Sequence, residues 1–508
     1  MPHSTEISGR VAPPATTTAS TGPSADPGAA VDARRRWVVL AICCLSLFVV
    51  AMDTTIVNLA LPSIARTFST GVSELQWVVD AYALVLAGLL MLSGSIADRV
   101  GRRRVFQVGL ALFTLGSLLC SLAPGVGWLV AFRMVQAVGG SMLNPVAMSI
   151  IANTFVDPRE RARAIGAWGA VVGLAMALGP VIGGALVDAV GWPSIFWINV
   201  PVGVAAIVLT ALAVPESRAP RARRLDPVGQ VLVIVLLASL CYAVIEAPRH
   251  GWSSALILGL FGVAVLSAVG FVVYERRRRE PLLDPRFFRS APFSGATVVA
   301  VCGFAGLGGF LFLNALYLQD VRGLSPLNAG LVTLPGALAI FAMAPLSGWL
   351  VATRGPRISL VASGVGLGLS GLMLTGLRAD SDMGWLVLAY VVFGLGFGMI
   401  NPAISDTAVA GMPRSQAGVA SGVAAASRQV GASLGVAVFG TAVAGHVSAN
   451  VVTDLPAASH LAWWILAGCG AVVAVVGFLT SSSWAQRTAR RTSRLLEEPE
   501  LALSGSRP

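Results

Sequence analysis

Two carboxylates and one guanidinium stand where the neighbouring residues are almost wholly apolar: Asp53 in AMDTTIVNLALP, Asp80 in QWVVDAYALV and Arg133 in FRMVQAVGGS. An ionised side chain at the centre of a bilayer costs ~2.5–3.5 kcal/mol on insertion scales, and such groups face a bundle interior or wet cavity and pair with one another. The chemistry open to them is proton transfer. Desolvation raises a carboxylate's affinity for a proton and a nearby arginine lowers it. A conformational change that wets the site or moves the arginine would therefore load or release a proton. A purely structural salt bridge is the alternative use of the same residues.

The elements that must position these groups can be counted. The chain has 508 residues, 56% hydrophobic and 12% charged, with a mean hydropathy of +0.79, whereas soluble domains are about a quarter charged. Apolar runs long enough to cross ~30 Å of hydrocarbon occur at 37–60, 75–96, 105–124, 127–150, 162–187, 194–214, 228–247, 254–274, 293–318, 327–351, 357–377, 384–408, 416–442 and 460–482. These give an all-α integral membrane protein of fourteen transmembrane helices, here spans 1 to 14. Residues 1–33, rich in Pro, Ser, Thr, Ala and Gly, are expected to form a disordered cytoplasmic tail.

All 35 basic residues are Arg. Without Lys there is no phosphate-binding Gly-x-x-x-x-Gly-Lys loop, which excludes an ATP-driven pump within this chain, and no Schiff-base lysine. The six cysteines fall inside apolar runs and not at disulfide or metal spacings. No catalytic residue, metal or cofactor is expected, and the chain is not read as an enzyme. The net charge of +11 does not point to nucleic acid, because the arginines cluster in short loops, as juxtamembrane charge facing membrane lipids does. Of them, 29 lie in loops on the N-terminal side and 4 on the other (Arg66, Arg249, Arg322, Arg378), with Arg133 and Arg428 inside spans. The positive-inside rule then puts both termini in the cytoplasm of a plasma membrane. At 1.5 Å per residue, Asp53 lies about 24 Å outward along span 1, Asp80 about 6–8 Å below the outer surface and Arg133 about 9 Å below it. The three share one layer and are expected to form one charge network. Snorkelling of Arg133 to the outer surface is the alternative.

Internal symmetry carries further information. Span 4 begins GWLVAFRMVQAVGGSMLNP and span 12 begins GWLVLAYVVFGLGFGMINP, matching at an offset of 257. This places Tyr390 opposite Arg133. The loop GSIADRVGRRR after span 2 is echoed by GWLVATRGPR after span 10 at an offset of 254, and spans 5 and 13 share glycines at an offset of 252. Spans 1–6 and 9–14 are thus parallel repeats of a six-helix unit, an architecture with its substrate site near midplane between the halves. The expected division is a six-helix bundle over 34–214, a two-helix insert with its linkers over 215–292, a second bundle over 293–482 and a cytoplasmic tail over 483–508.

With these repeats the chain resembles the major facilitator superfamily. Gly94, Asp98, Arg99, Gly101 and Arg102 match its loop signature between spans 2 and 3. There Gly94 would admit a neighbouring helix, Gly101 a tight turn, and Asp98 would face an Arg or a helix N-terminus as a cytoplasmic latch. Arg133, in FRMVQAVGGS, resembles the span 4 signature in relaxed form, with Ala137 where a glycine is common. MDTTIVNLALP resembles the span 1 signature of fourteen-span drug:proton antiporters. GLAMALGPVIGG, with Gly173, Gly179, Pro180, Gly183 and Gly184, resembles their span 5 signature, Ala175 replacing its first glycine. Pro180 would bend that helix and the glycines would let it pack closely where the halves meet.

The resemblance implies a proton-coupled antiporter, monomeric, exporting small amphipathic organic compounds by alternating access across a bacterial plasma membrane. Asp53, Asp80 and Arg133 would couple the proton. Trp77, Tyr82, Trp168 and Tyr317 are candidates for the cavity wall. Arg428, near midplane, would either neutralise an anionic substrate group or brace a helix by bonding carbonyls. A dedicated exporter of one host metabolite, lipid or siderophore would use the same machinery, and a non-transporting receptor on this fold is a further alternative.

Overall fold

The computed structural model describes residues 27–218, 226–278, 281, 283–413, 416–444 and 451–504. Among them, fourteen helices are long and apolar enough to cross a membrane: Arg34–Phe68, Val72–Val100, Arg102–Ser121, Val126–Thr154, Arg159–Val190, Ser194–Ala213, Pro227–His250, Ala255–Glu275, Ala291–Val321, Pro326–Arg354, Arg357–Leu374, Met383–Val409, Ala417–Ala444 and Asp454–Thr480. These are spans 1 to 14. In hydrocarbon every backbone N–H and C=O must be satisfied within the segment, and an uninterrupted helix does this. The helix of span 1 already begins at Pro27, so the tail expected over 1–33 is helical over 27–33, while residues 1–26 lie outside the described residues.

Local sequence sets where several helices start. Spans 5, 7 and 10 open on Asp157-Pro158, Asp226-Pro227 and Ser325-Pro326, each polar side chain accepting a backbone N–H of the first turn. Such an N-cap satisfies one orphan donor, and proline at the next position gives up an N–H that had no partner there. Two spans are interrupted. Span 6 consists of Ser194–Trp197 and Asn199–Ala213, and span 12 of Met383–Gly398 and Ile400–Val409. The break in span 12 follows from Pro402, which has no N–H for the carbonyl of Gly398. Its repeat counterpart, Pro145, sits inside the unbroken helix Val126–Thr154.

Spans 1–6 and 9–14 form two six-helix halves, and the inserted spans 7 and 8 pack on each other, with span 7 also packing on spans 2 and 13. Span 7 therefore lies across one seam between the halves. At the other seam, spans 5 and 10 meet directly. A last helix, Ser483–Ser504, folds the expected tail against the second half. Its Thr488 Oγ1 accepts the Ala291 N–H (3.0 Å) and its Leu495 carbonyl accepts Arg286 Nη1 (3.3 Å).

We call the end of the bundle where span 1 begins and span 14 finishes the terminal end, and the opposite one the distal end. Among the described residues, the polar contacts joining the halves gather distally. Gln76 Nε2 donates to the Val436 and Ala437 carbonyls (3.1 and 2.9 Å), Gln319 Nε2 to the Leu59 carbonyl (2.8 Å), and the Leu327 N–H to Asp188 (3.0 Å). Arg66 pairs with Asp320 at 3.2 Å. Toward the terminal end, Ser405 and Asp406 of span 12 and Gly418 and Ser421 of span 13 are exposed.

Candidate functional site

Span 1 carries Asp53 into the interior of the first half, where it is 0% exposed. Arg133, 1% exposed, reaches it from span 4 with Nη1 at 2.5 Å from Oδ2. The other carboxylate oxygen accepts Gln136 Nε2 (2.9 Å), one helical turn beyond Arg133, and Asn199 Nδ2 (3.2 Å). Asn199 is the first residue after the break in span 6. Ser117 of span 3 ties the two amides together, lying 2.8 Å from Gln136 Nε2 and 3.3 Å from Asn199 Nδ2. Arg133 also donates to Gln136 Oε1 (2.7 Å) and, through Nε, to the Val78 carbonyl of span 2 (3.3 Å). Its guanidinium lies 4.0 Å over the Tyr82 ring.

Spans 4 and 6 thus bond the carboxylate directly, and spans 2 and 3 brace the groups that do so. All hydrogen-bond partners of Asp53 are donors, the set that suits an acceptor-only, ionised carboxylate. An ion pair out of water holds its place only when its remaining donors and acceptors are also satisfied, and the amides and the stacked ring do that here. Arg133 does not snorkel.

Asp80 is the correction to the expected three-member network. It too is 0% exposed, but the opposite face of span 2 carries it away from Asp53 and Arg133. Beside it stand Ser433 of span 13 and Cys241 of span 7, and neither carboxylate oxygen has a hydrogen-bond donor in good geometry. An expected depth along the axis does not fix the direction around it. Asp80 sits where both halves and the insert meet.

The expected cavity aromatics are also dispersed. Trp77 donates to Glu246 of span 7 (3.1 Å) and lies 5.5 Å from the Tyr242 ring, so it faces the insert. Tyr82 belongs to the charge pair. Tyr317, 2% exposed, is locked in the second half with its hydroxyl on the Arg378 carbonyl (2.6 Å). Trp168 is half-buried on span 5. Among the described residues, Arg428 bonds side chains and not backbone carbonyls: Nη1 lies 3.3 Å from Asn401 Oδ1 and 3.4 Å from Ser405 Oγ.

In the loop after span 2, Asp98 pairs with Arg102 of the next helix (2.9 Å). Gly101 has φ +127°, and a Cβ there would meet the Glu216 carboxylate at 2.7 Å, so the tight turn needs glycine. Gly94 meets only ordinary contact, Pro145 at 3.8 Å, and the expected close helix approach is absent there. In span 5, Gly179 and Gly183 face Thr55 and Ile56 of span 1, Gly173 faces Phe341, and Gly184 faces the backbone of Pro326 and Leu327. Span 5 is wedged between span 1 and the second half, with Pro180 inside its helix.

Gln136, Asn199 and Ser117 were not singled out from the sequence. Gln136 is three residues from Arg133 in FRMVQAV, a spacing that places both on one helix face. Nothing in the sequence near Asn199 or Ser117 says that they meet Asp53.

Residues 43–436 match the family model described as Major Facilitator Superfamily. The chain is 37% identical over 411 residues to the Multidrug resistance protein Stp of Mycobacterium tuberculosis, covering 81% of this chain and 76% of that one. It is 38% identical over 432 residues to the Tetracenomycin C resistance and export protein of Streptomyces glaucescens (84% and 79% covered). To the Multidrug efflux pump LfrA of Mycolicibacterium smegmatis it is 37% identical over 424 residues, covering 83% of each. Among solved structures, a peptide transporter crystallised with sulfate superposes with a TM-score of 0.62 at 17% identity, covering 90% of this chain and 95% of that one.

Proposed function

Because this chain belongs to the major facilitator superfamily, we propose that it is a proton-coupled antiporter exporting small amphipathic organic compounds, drugs or antibiotics, across a bacterial plasma membrane by alternating access. The export function is supported by relatives named for multidrug resistance, multidrug efflux and antibiotic export. Both termini are cytoplasmic, by the distribution of arginines, which makes the joined distal end the outer one and the conformation inward-facing.

The buried Asp53–Arg133 contact at 2.5 Å carries the proton-coupling reading. Here the carboxylate is ringed by donors and closed off from water. To take a proton it must lose Arg133, because a neutral carboxylic acid brings a donor of its own against the ring of donors. Separating the halves at the outer end would disturb span 1 and so this pair. Protonation would belong to the outward-facing state and deprotonation to the inward-facing one, where cargo is collected. Asp80, at the meeting of both halves and the insert, is a second proton-carrying group in this scheme.

The test is reconstitution in proteoliposomes with an imposed pH gradient and a panel of amphipathic antibiotics. Asp53→Asn is expected to abolish gradient-driven accumulation while leaving downhill exchange. A variant that still concentrates cargo at the rate of the unaltered protein overturns the coupling assignment.

A further inference from the structure

The inserted helix pair does more than fill a seam. Span 7 is bonded to both halves: Gln230 Nε2 to the Gly88 carbonyl and Glu246 to Trp77 on the span 2 side, Val244 to Thr441 (2.9 Å) and Cys241 to Ser433 (3.6 Å) on the span 13 side. Toward the terminal end this seam is not closed. A cavity of about 250 Å³ remains, bounded by Met91 of span 2, Val233 of span 7, Phe271 of span 8, Val301 of span 9, Val430 of span 13 and Phe288 of the linker. It is larger than the ~150 Å³ that accommodates a benzene ring in a dry protein interior.

Its chemistry is that of hydrocarbon, with a polar mouth. Of its polar wall groups, Thr297 and Ser427 spend their hydroxyls on their own helices, on the Phe293 and Val423 carbonyls (3.0 and 2.8 Å). Gln230 is 4% exposed, and its Oε1 has no donor. It lies in the first turn of span 7, at the terminal end, and an acceptor left there calls for a ligand that brings a hydroxyl. The mouth is also strongly basic. Phe288 is 45% exposed, and its chain neighbour Arg289, like Arg276 and Arg277 after span 8, is exposed and in no ion pair among the described residues. Arg279 lies outside the described residues.

We propose that this cavity holds an acyl chain of an anionic, hydroxyl-bearing phospholipid of the phosphatidylglycerol type. Its phosphate lies on Arg289 and the neighbouring arginines, and a headgroup hydroxyl lies within reach of Gln230. Basic residues at a membrane surface attract anionic lipid, and the acyl chain, already in hydrocarbon in the bilayer, is held by packing against the cavity walls. The insert therefore builds a lipid site whose walls belong to both halves.

The test is lipid titration of the purified full chain, read by native mass spectrometry, with phosphatidylglycerol and phosphatidylcholine as probes. The intact protein is expected to bind phosphatidylglycerol at least ten-fold more tightly than phosphatidylcholine. Arg289→Gln should lower that affinity about five-fold, the factor that ~1 kcal/mol per basic residue gives. Val233→Trp, which fills the cavity, should abolish the high-affinity lipid. Val265→Trp on the exposed face of span 8 is the control and should leave binding unchanged. Equal binding of the two lipids, unchanged binding in Arg289→Gln, or equal losses from Val233→Trp and Val265→Trp would each overturn the proposal. If Val233→Trp fails to fold, the exposed Arg289→Gln and the headgroup comparison still decide.

Discussion

The Tyr390 hydroxyl donates to Asn314 Oδ1 at 2.5 Å, joining spans 12 and 9 of the second half as Arg133 and Asp53 join spans 4 and 1 of the first. The repeat thus keeps the link and drops the charge. A neutral link contributes about 1 kcal/mol net, and a phenol, which ionises only at about pH 10, offers a proton gradient no group that changes charge near neutral pH. Tyr390→Phe is expected to lower stability by about that amount, seen as a small fall in thermal midpoint, and to leave export at the unaltered rate. Loss of gradient-driven export in this variant would place coupling in both halves.

Removal of Arg133 has a different signature. Arg133→Ala leaves Asp53 charged and uncompensated in the interior, a loss of about 3–5 kcal/mol where buried pairs have been broken. The folded yield in membranes should fall sharply. Asp53→Asn/Arg133→Ala removes both charges and should recover most of the yield while export stays absent. Fluorescence-detected size-exclusion profiles beside transport assays separate the two effects. Equal yields for the single and double variants would mean that the pair is not held against its desolvation.

Much of this was legible from residue order. Fourteen spans, the parallel repeat and the pairing of Asp53 with Arg133 follow from hydropathy, self-similarity and depth, because each depends on position along a helix axis. Direction around the axis was not legible where a span is apolar all round. Asp80 and Trp77 lie three residues apart on span 2, and the face they share is turned to the insert and the second half. Whether an aromatic in span 9 meets a cavity or a neighbouring loop is fixed by tertiary packing, and Tyr317 went to the loop carbonyl of Arg378. The break at Ile198, which delivers Asn199 to the site, follows from Pro201, which has no N–H for the carbonyl of Trp197, but residue order does not say what the residue after the break meets.

The direct seam between spans 5 and 10 offers a way to shift the conformational equilibrium. Gly184 lies against the backbone of Pro326 and Leu327, and Gly330 against the Pro180 carbonyl. Backbone cannot yield as a side-chain tip can, so Gly184→Val should keep the distal end from closing at a cost of about 1–3 kcal/mol, the range for overpacking. Spin labels at Thr67 and Asn328 should report a longer mean distance than in the unaltered protein. An unchanged distance distribution would show that the seam does not limit closure.

The loop between spans 2 and 3 separates a backbone requirement from a charge effect. Asp98–Arg102 is an ion pair at a half-exposed site, where such pairs contribute about 0–1 kcal/mol, so Asp98→Asn should barely move the thermal midpoint. Gly101→Ala must hold a φ of +127° and also displace Glu216, which receives the Arg103 N–H at 3.1 Å. Strained backbone positions cost of order 1–3 kcal/mol, and this variant is expected to lower the midpoint by several degrees. If Asp98 also latches the inner end in the outward-facing state, Asp98→Asn will slow export despite its normal stability. The reverse pattern, a destabilised Asp98→Asn and an unaffected Gly101→Ala, would mean that the loop is held by its charges and not by its turn.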